Sequence, residues 1–207
     1  MEEPETIPYP GTESEDAPRP ETLEEEVGRR LLVSFDRLTR VDLALLRLLR
    51  TRGHARAVEV LVLRYTHWGE HAALWHVIAG LGVVLDRGQR GVYLRAIGTI
   101  ILTQAANFAA KTIISRARPL LEDLPPLSPT ISGLSTPSAH ASTSAAAASA
   151  LGEALPRPPL YAAAFIMAIS RPYLGVHFPS DTVAGIALGA VVARATRRAH
   201  AVLVAQR

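Results

Sequence analysis

Between residues 66 and 193 the chain repeats one pattern, an apolar run followed by a break marked by Gly, Pro or Arg. The runs cover 66–85, 92–114, 138–151, 160–174 and 181–193. A bilayer core about 30 Å thick takes about 20 helical residues to cross, and backbone in lipid must satisfy its own hydrogen bonds. Runs of this kind therefore fold as helices. The expected architecture is all-α, an integral membrane bundle of about five spanning helices. The run at 138–151 is polar and small for a lipid-facing helix, with Ser142, Thr143, Ser144 and four consecutive alanines. It suits the centre of a bundle, where backbones approach closely. Gly185 and Gly189, four residues apart, predict the same close packing in the last run.

The segments in front of the bundle have another character. Residues 1–28 carry ten acidic side chains against one base, Arg19, and include Pro4, Pro8, Pro10, Pro18 and Pro20. With so little to bury, this acidic tail is expected to be disordered, and it has neither the basic start nor the apolar stretch of a signal peptide. In the next segment, 29–65, Leu38, Val41, Leu45, Leu48 and Leu49 share one helical face, while Arg37, Arg40 and Arg47 share another. The stretch 38–50 is too short to cross a bilayer, so an amphipathic interfacial helix on anionic headgroups is expected. Residues 66–207 form the expected membrane-embedded domain. Outside the tail, 21 basic side chains face nine acidic ones, a balance suited to a membrane surface or an anionic substrate. No nucleic acid partner is expected, because the arginines are dispersed between apolar runs without an aromatic platform. The absence of cysteine excludes disulfides and thiolate metal sites.

Consecutive spanning helices alternate direction. The end of the second run, the start of the third, the connection between the last two and the start of the first therefore meet on one face. That face collects Lys111 (the only lysine), Arg118, Ser138, His140, Arg171, His177 and Asp181. Charges at the edge of spanning segments are costly and tend to line polar cavities. Guanidinium forks and an ammonium match the oxygens of a phosphate. Asp181, four residues after His177, could fix the imidazole tautomer and leave the other ring nitrogen free to attack phosphorus. His140 could protonate a departing alkoxide and then activate water, and Ser138 with the N–H groups of its helix start could bind a phosphate oxygen. The connection 115–137, with five prolines, has the length of a functional loop. His67-Trp68-Gly69-Glu70-His71 fits H-x-x-E-H, a zinc-binding pattern, but no distal carboxylate ligand is evident. No metal is expected. His67, Glu70 and His71 are expected at the mouth of the site as headgroup contacts, or as caps of the first run.

Lys111-x6-Arg118-Pro119, Pro137-Ser138-Ala139-His140 and Ser170-Arg171-x5-His177-x3-Asp181 resemble the three-part signature of the type 2 phosphatidic acid phosphatase superfamily, over roughly residues 66–195. The resemblance implies an all-α, metal-independent phosphatase without a cofactor that works through a phosphohistidine. By it, His177 is the nucleophile, Asp181 its orienting partner and His140 the general acid/base, while Lys111, Arg118, Ser138, Ala139 and Arg171 hold the phosphate. Ala139 stands where the signature has glycine; its N–H survives, and its methyl narrows the pocket. Gly69-Glu70-His71 together with 137–143 is similar to an actinobacterial branch that acts on a decaprenyl-linked pentose phosphate for cell-wall arabinan. That implies a polyprenyl-linked phosphate monoester as substrate and a multi-pass place in the plasma membrane. Undecaprenyl diphosphate, phosphatidylglycerol phosphate and phosphatidic acid stay open as substrates, as do a non-catalytic lipid-binding role and a haloperoxidase. Arginines occur on both expected faces, so charge bias does not orient the chain. The long acidic tail without a signal puts the expected site on the cytoplasmic side.

Overall fold

The computed structural model describes residues 23–206, and all regular elements among them are helices. Helix α1 (Leu23–Thr51) begins inside the stretch 1–28 assigned to the acidic tail. The expected disorder of 1–22 lies outside the described residues. Residues up to Thr39 cluster as one unit, and Arg40–Arg207 form a second, compact one. In the second unit the last part of α1 is followed by α2 (Arg56–His67), a 3-10 turn (Glu70–Ala72), α3 (Ala73–Leu85), α4 (Arg90–Ile114), α5 (Ala139–Leu151), α6 (Arg157–Tyr173) and α7 (Pro179–Ala205).

Helix α5 is the hub. It packs against α4, α6 and α7, and most of its residues are buried, including Ala141, Ser142, Ser144 and the alanines at 146–148. Small side chains permit this because they let neighbouring backbones come close. Gly189 marks the tightest approach: a Cβ there would lie 2.1 Å from the Ser142 carbonyl oxygen, and one at Gly185 would lie 2.6 Å from that of Ser138. Backbone cannot rotate away as a side chain does. Gly189→Ala is therefore expected to push α7 off α5 and to destabilise the fold by about 1–3 kcal/mol. Thermal unfolding in detergent checks this, and an unchanged midpoint would contradict the packing.

Beside α5, Trp75, Tyr93, Ile100 and Leu151 form the larger apolar core, and the Trp75 indole N–H donates to Ser144 Oγ at 2.9 Å. The outward sides of the helices stay apolar: Val77, Leu81, Leu94, Leu102, Phe108, Phe165, Val183 and Val191 are all exposed. Among the described residues one helix, Arg87–Ile114, is long and apolar enough to cross a membrane, and Glu70–Leu85 is a shorter apolar helix. The expected count of about five spans is not established by these lengths. Helix α5 has only 13 residues and α6 only 17.

One expectation needs correction. The first apolar run is not one helix, because α2 ends at His67 and the chain turns before α3, with His71 (φ 51°) and Ala72 (φ 58°) in the left-handed region. In α1, Leu38, Val41, Leu45 and Leu48 are left exposed, and the side facing the unit is Asp42, Leu46 and Arg50, spaced four apart. Polar partners on the long loop explain that facing. Arg47 makes a bidentate pair with Asp123, at 2.6 and 3.0 Å, and Arg50 donates to the Pro125 carbonyl at 2.7 Å.

Candidate active site

The long loop reaches its place through a short extended piece. Ser115, in the left-handed region, ends α4 by donating its N–H to the Lys111 carbonyl. Ala117 then pairs with Leu134, and Ser135 N–H donates to the Arg116 carbonyl at 2.7 Å. In extended chain, alternate residues share a side. Arg116 and Arg118 accordingly reach the two ends of one pair, His177 and Asp181.

Asp181 sits in the first turn of α7 and is fully buried. Its Oδ2 accepts from the Phe178 N–H at 2.8 Å and from the Ser135 hydroxyl, and its Oδ1 accepts from the Thr136 hydroxyl and from Arg116 Nη1 at 3.0 Å. The carboxylate is thus held from several directions, with Oδ2 3.5 Å from His177 Nδ1. This geometry favours the proton on Nδ1 and leaves Nε2 with a free lone pair. Arg118 Nη1 lies 3.1 Å from Nε2 and also donates to the Val176 carbonyl at 2.6 Å. A cation suited to a phosphate oxygen therefore stands beside the candidate attacking atom. Burial pushes the His177 imidazole down to about 4 against the opposing pull of Asp181, and the neighbouring cations push the same way. Burial likewise lowers the Arg118 guanidinium from its usual range, with Asp181 opposing.

Lys111, Arg118, Ala139, His140, Arg171 and His177 line one cavity of about 220 Å³. Lys111 Nζ donates to the carbonyls of Leu134 and Ser135, at 3.1 and 3.0 Å. Arg171 donates Nη1 to Thr66 Oγ1 at 2.7 Å, while its buried Nε has no protein partner. His140 Nε2 lies 3.3 Å from the Thr66 carbonyl. The close approach of the α2–α3 turn depends on Gly69, where a Cβ would lie 2.4 Å from His140 Cδ2. Three cations around so small a space suit a multiply charged anion, since the desolvated guanidinium and ammonium groups act at low dielectric.

Glu70 and His71 line the mouth, where Gln104 Nε2 donates to the His71 carbonyl at 3.0 Å. His67 does not line the cavity; it is exposed, with Nδ1 3.6 Å from Glu70 Oε2. Ser138 does not line it either. Its hydroxyl is buried without a protein partner, and its N–H donates to the Asp181 carbonyl at 3.0 Å. The α5 residue that meets the cavity beside it is Ala139. Among the described residues no three His, Asp or Glu side chains are grouped to hold a metal ion. The sequence reading missed Thr66, Gln104, Ser135, Thr136, Arg116 and Asp42. Most of these enter through tertiary closure. Arg116 alone had a local signal, its two-residue spacing from Arg118 before Pro119, because a residue preceding proline is biased to extended backbone.

The family model described as the PAP2 superfamily matches residues 92–204. Decaprenylphosphoryl-5-phosphoribose phosphatase of Mycobacterium tuberculosis is 38% identical over 130 residues, which are 61% of this chain and 72% of that protein. The protein of the same name from Mycolicibacterium smegmatis is 38% identical over 122 residues, 58% of this chain and 67% of its own. Two crystal structures have similar folds. Aquifex aeolicus LpxE matches with a TM-score of 0.65 and 23% identity, covering 75% of this chain and 94% of that one. A transmembrane PAP2-type phosphatidylglycerolphosphate phosphatase from Bacillus subtilis matches with a TM-score of 0.65 and 25% identity, covering 77% and 84%.

Proposed function

The chain belongs to the PAP2 superfamily, and from that premise we propose that it hydrolyses the phosphate monoester of a polyprenyl-linked sugar phosphate, decaprenylphosphoryl-5-phosphoribose. It is a phosphatase of lipid phosphates and a membrane protein. The likeness to the two mycobacterial phosphatases carries the choice of substrate. Its role would be to supply a lipid-linked pentose for cell-wall arabinan.

In this reading Lys111, Arg118 and Arg171 hold the phosphate oxygens, and His177 Nε2 attacks phosphorus as the bond to the sugar oxygen breaks. His140 gives that oxygen a proton. It then takes one from the water that attacks the phosphohistidine, which returns His177 and releases inorganic phosphate. The cations offset charge on the equatorial oxygens throughout, and no metal takes part. Glu70, His71 and Gln104 at the mouth are placed to meet sugar hydroxyls, while the prenyl chain stays in the bilayer. The contacts of Arg47 and Arg50 with the active-face loop put the end of α1 on the same face as the site. We read that face as cytoplasmic.

A phosphate-release panel tests the substrate. The prenyl-linked pentose phosphate is expected to exceed prenyl diphosphates and glycerophospholipid phosphates in kcat/KM by about tenfold or more. A faster release from phosphatidylglycerol phosphate, the second reading suggested by the Bacillus subtilis likeness, would replace the assignment. Vanadate is expected to inhibit and EDTA to leave the rate unchanged. Run in sealed vesicles without detergent, the panel also reports the face: turnover confined to right-side-out vesicles would overturn the cytoplasmic placement.

A further inference from the structure

We infer that Asp42 and Arg116 are positioning residues that hold the Asp181 carboxylate on His177; this deepens the proposed function and rests on His177 being the nucleophile. Arg116 joins two acids. Nη1 donates to Asp181 Oδ1 at 3.0 Å, Nη2 donates to Asp42 Oδ2 at 2.8 Å, and the guanidinium lies over the Phe178 ring at 4.0 Å. Asp42, only 2% exposed, also accepts from the Ser180 N–H at 2.9 Å and from the Ser180 hydroxyl. Ser180 Oγ accepts in turn from Arg116 Nη1 at 2.8 Å. Helix α1, the end of α4 and the start of α7 are thus tied at one point, with the Asp181 carboxylate at its inner end. Neither Asp42 nor Arg116 lines the cavity, and Asp42 lies outside the stretch matched by the family model.

Charge explains why two acids share one arginine. When His177 attacks, its ring becomes cationic, and the charge on Asp181 stabilises it. An arginine paired with Asp181 alone would draw on that same charge. Asp42 offsets the guanidinium, so Arg116 can fix the direction of Oδ1 while Oδ2 keeps its hold on Nδ1. The plainer alternative is an ion triad that merely anchors the loop, and the two readings differ in what a pH profile shows. His177 also faces Arg118, Arg171, Lys111 and His140, none of which the test variants change.

The test follows formation of acid-labile phosphohistidine by rapid quench, as a function of pH, in the full-length protein. Asp42→Asn keeps the shape of the side chain but leaves Arg116 paired with Asp181 alone. Arg116→Gln removes that charge and leaves two acids. Each is expected to slow phosphohistidine formation by about tenfold to a hundredfold with little change in KM. Asp42→Asn should move the acid limb of the profile to lower pH, and Arg116→Gln should move it to higher pH. Arg116→Lys should keep the limb near its original place while recovering only part of the rate. Shifts in the same direction, or unshifted limbs in protein that elutes as a folded species, would leave only the loop anchor and overturn the inference. If the unaltered protein traps phosphate on another residue or not at all, the nucleophile assignment itself falls, a result distinguishable from the first.

Discussion

His177→Ala is expected to lower phosphate release by about ten-thousandfold or more and to abolish the trapped phosphoenzyme, while vanadate still binds. The prediction follows from how the side chain is held. It is 2% exposed, with Asp181 at Nδ1 and Arg118 at Nε2, a hold that a water in its place would not inherit. Lys111, Arg118 and Arg171 remain in the variant and still offer a site for a tetrahedral anion. Retained protection by vanadate against thermal unfolding would therefore show that the site survived while the chemistry did not. The pH dependence has a definite sign. Because the folded imidazole is depressed to about 4, it stays unprotonated at neutral pH and loses nucleophilicity only as pH falls through that value. Its effect on stability runs the same way: below about 6.5 the unfolded chain takes up a proton that the folded site refuses, so stability declines from there towards pH 4. Near-normal turnover by His177→Ala on a lipid phosphate would remove the nucleophile from the scheme.

Much of this arrangement is legible in the sequence because the chemistry is local to motifs. Lys111 lies in the last turn of one helix with Arg118 just beyond it, His140 opens another, and His177 immediately precedes the third, whose first turn holds Asp181, so alternation of helices brings them to one face. The central place of α5 follows from its small residues, and the tight contacts at Gly185 and Gly189 follow from their spacing. The reading ran out where tertiary closure overrides pattern. A helix break at Trp68–Ala72 is invisible to hydropathy, since Gly69 is there for His140 and His71 and Ala72 adopt backbone that their side chains disfavour. The buried side of α1 is set by Asp42 and Arg50, whose partners lie more than 70 residues away, which no local pattern announces.

The second large effect concerns His140 and depends on the leaving group. If His140 protonates the departing oxygen, His140→Asn is expected to slow release from an alkyl phosphate by about a thousandfold, within the usual contribution of general acid–base catalysis. A nitrophenyl phosphate needs no such proton, because its phenolate leaves unaided. With that substrate the first step should be nearly spared. The second step should still fail, since the same imidazole activates water, and phosphohistidine should accumulate with a burst of nitrophenolate. The geometry supports this division: His140 and His177 line the same cavity from different helices, and the His140 ring is fixed by the Thr66 carbonyl at 3.3 Å and by the close backbone of Gly69. A purely structural histidine would depress both substrates alike. Equal losses on the alkyl and nitrophenyl esters, without a burst, would therefore assign His140 to packing and leave proton transfer to another group.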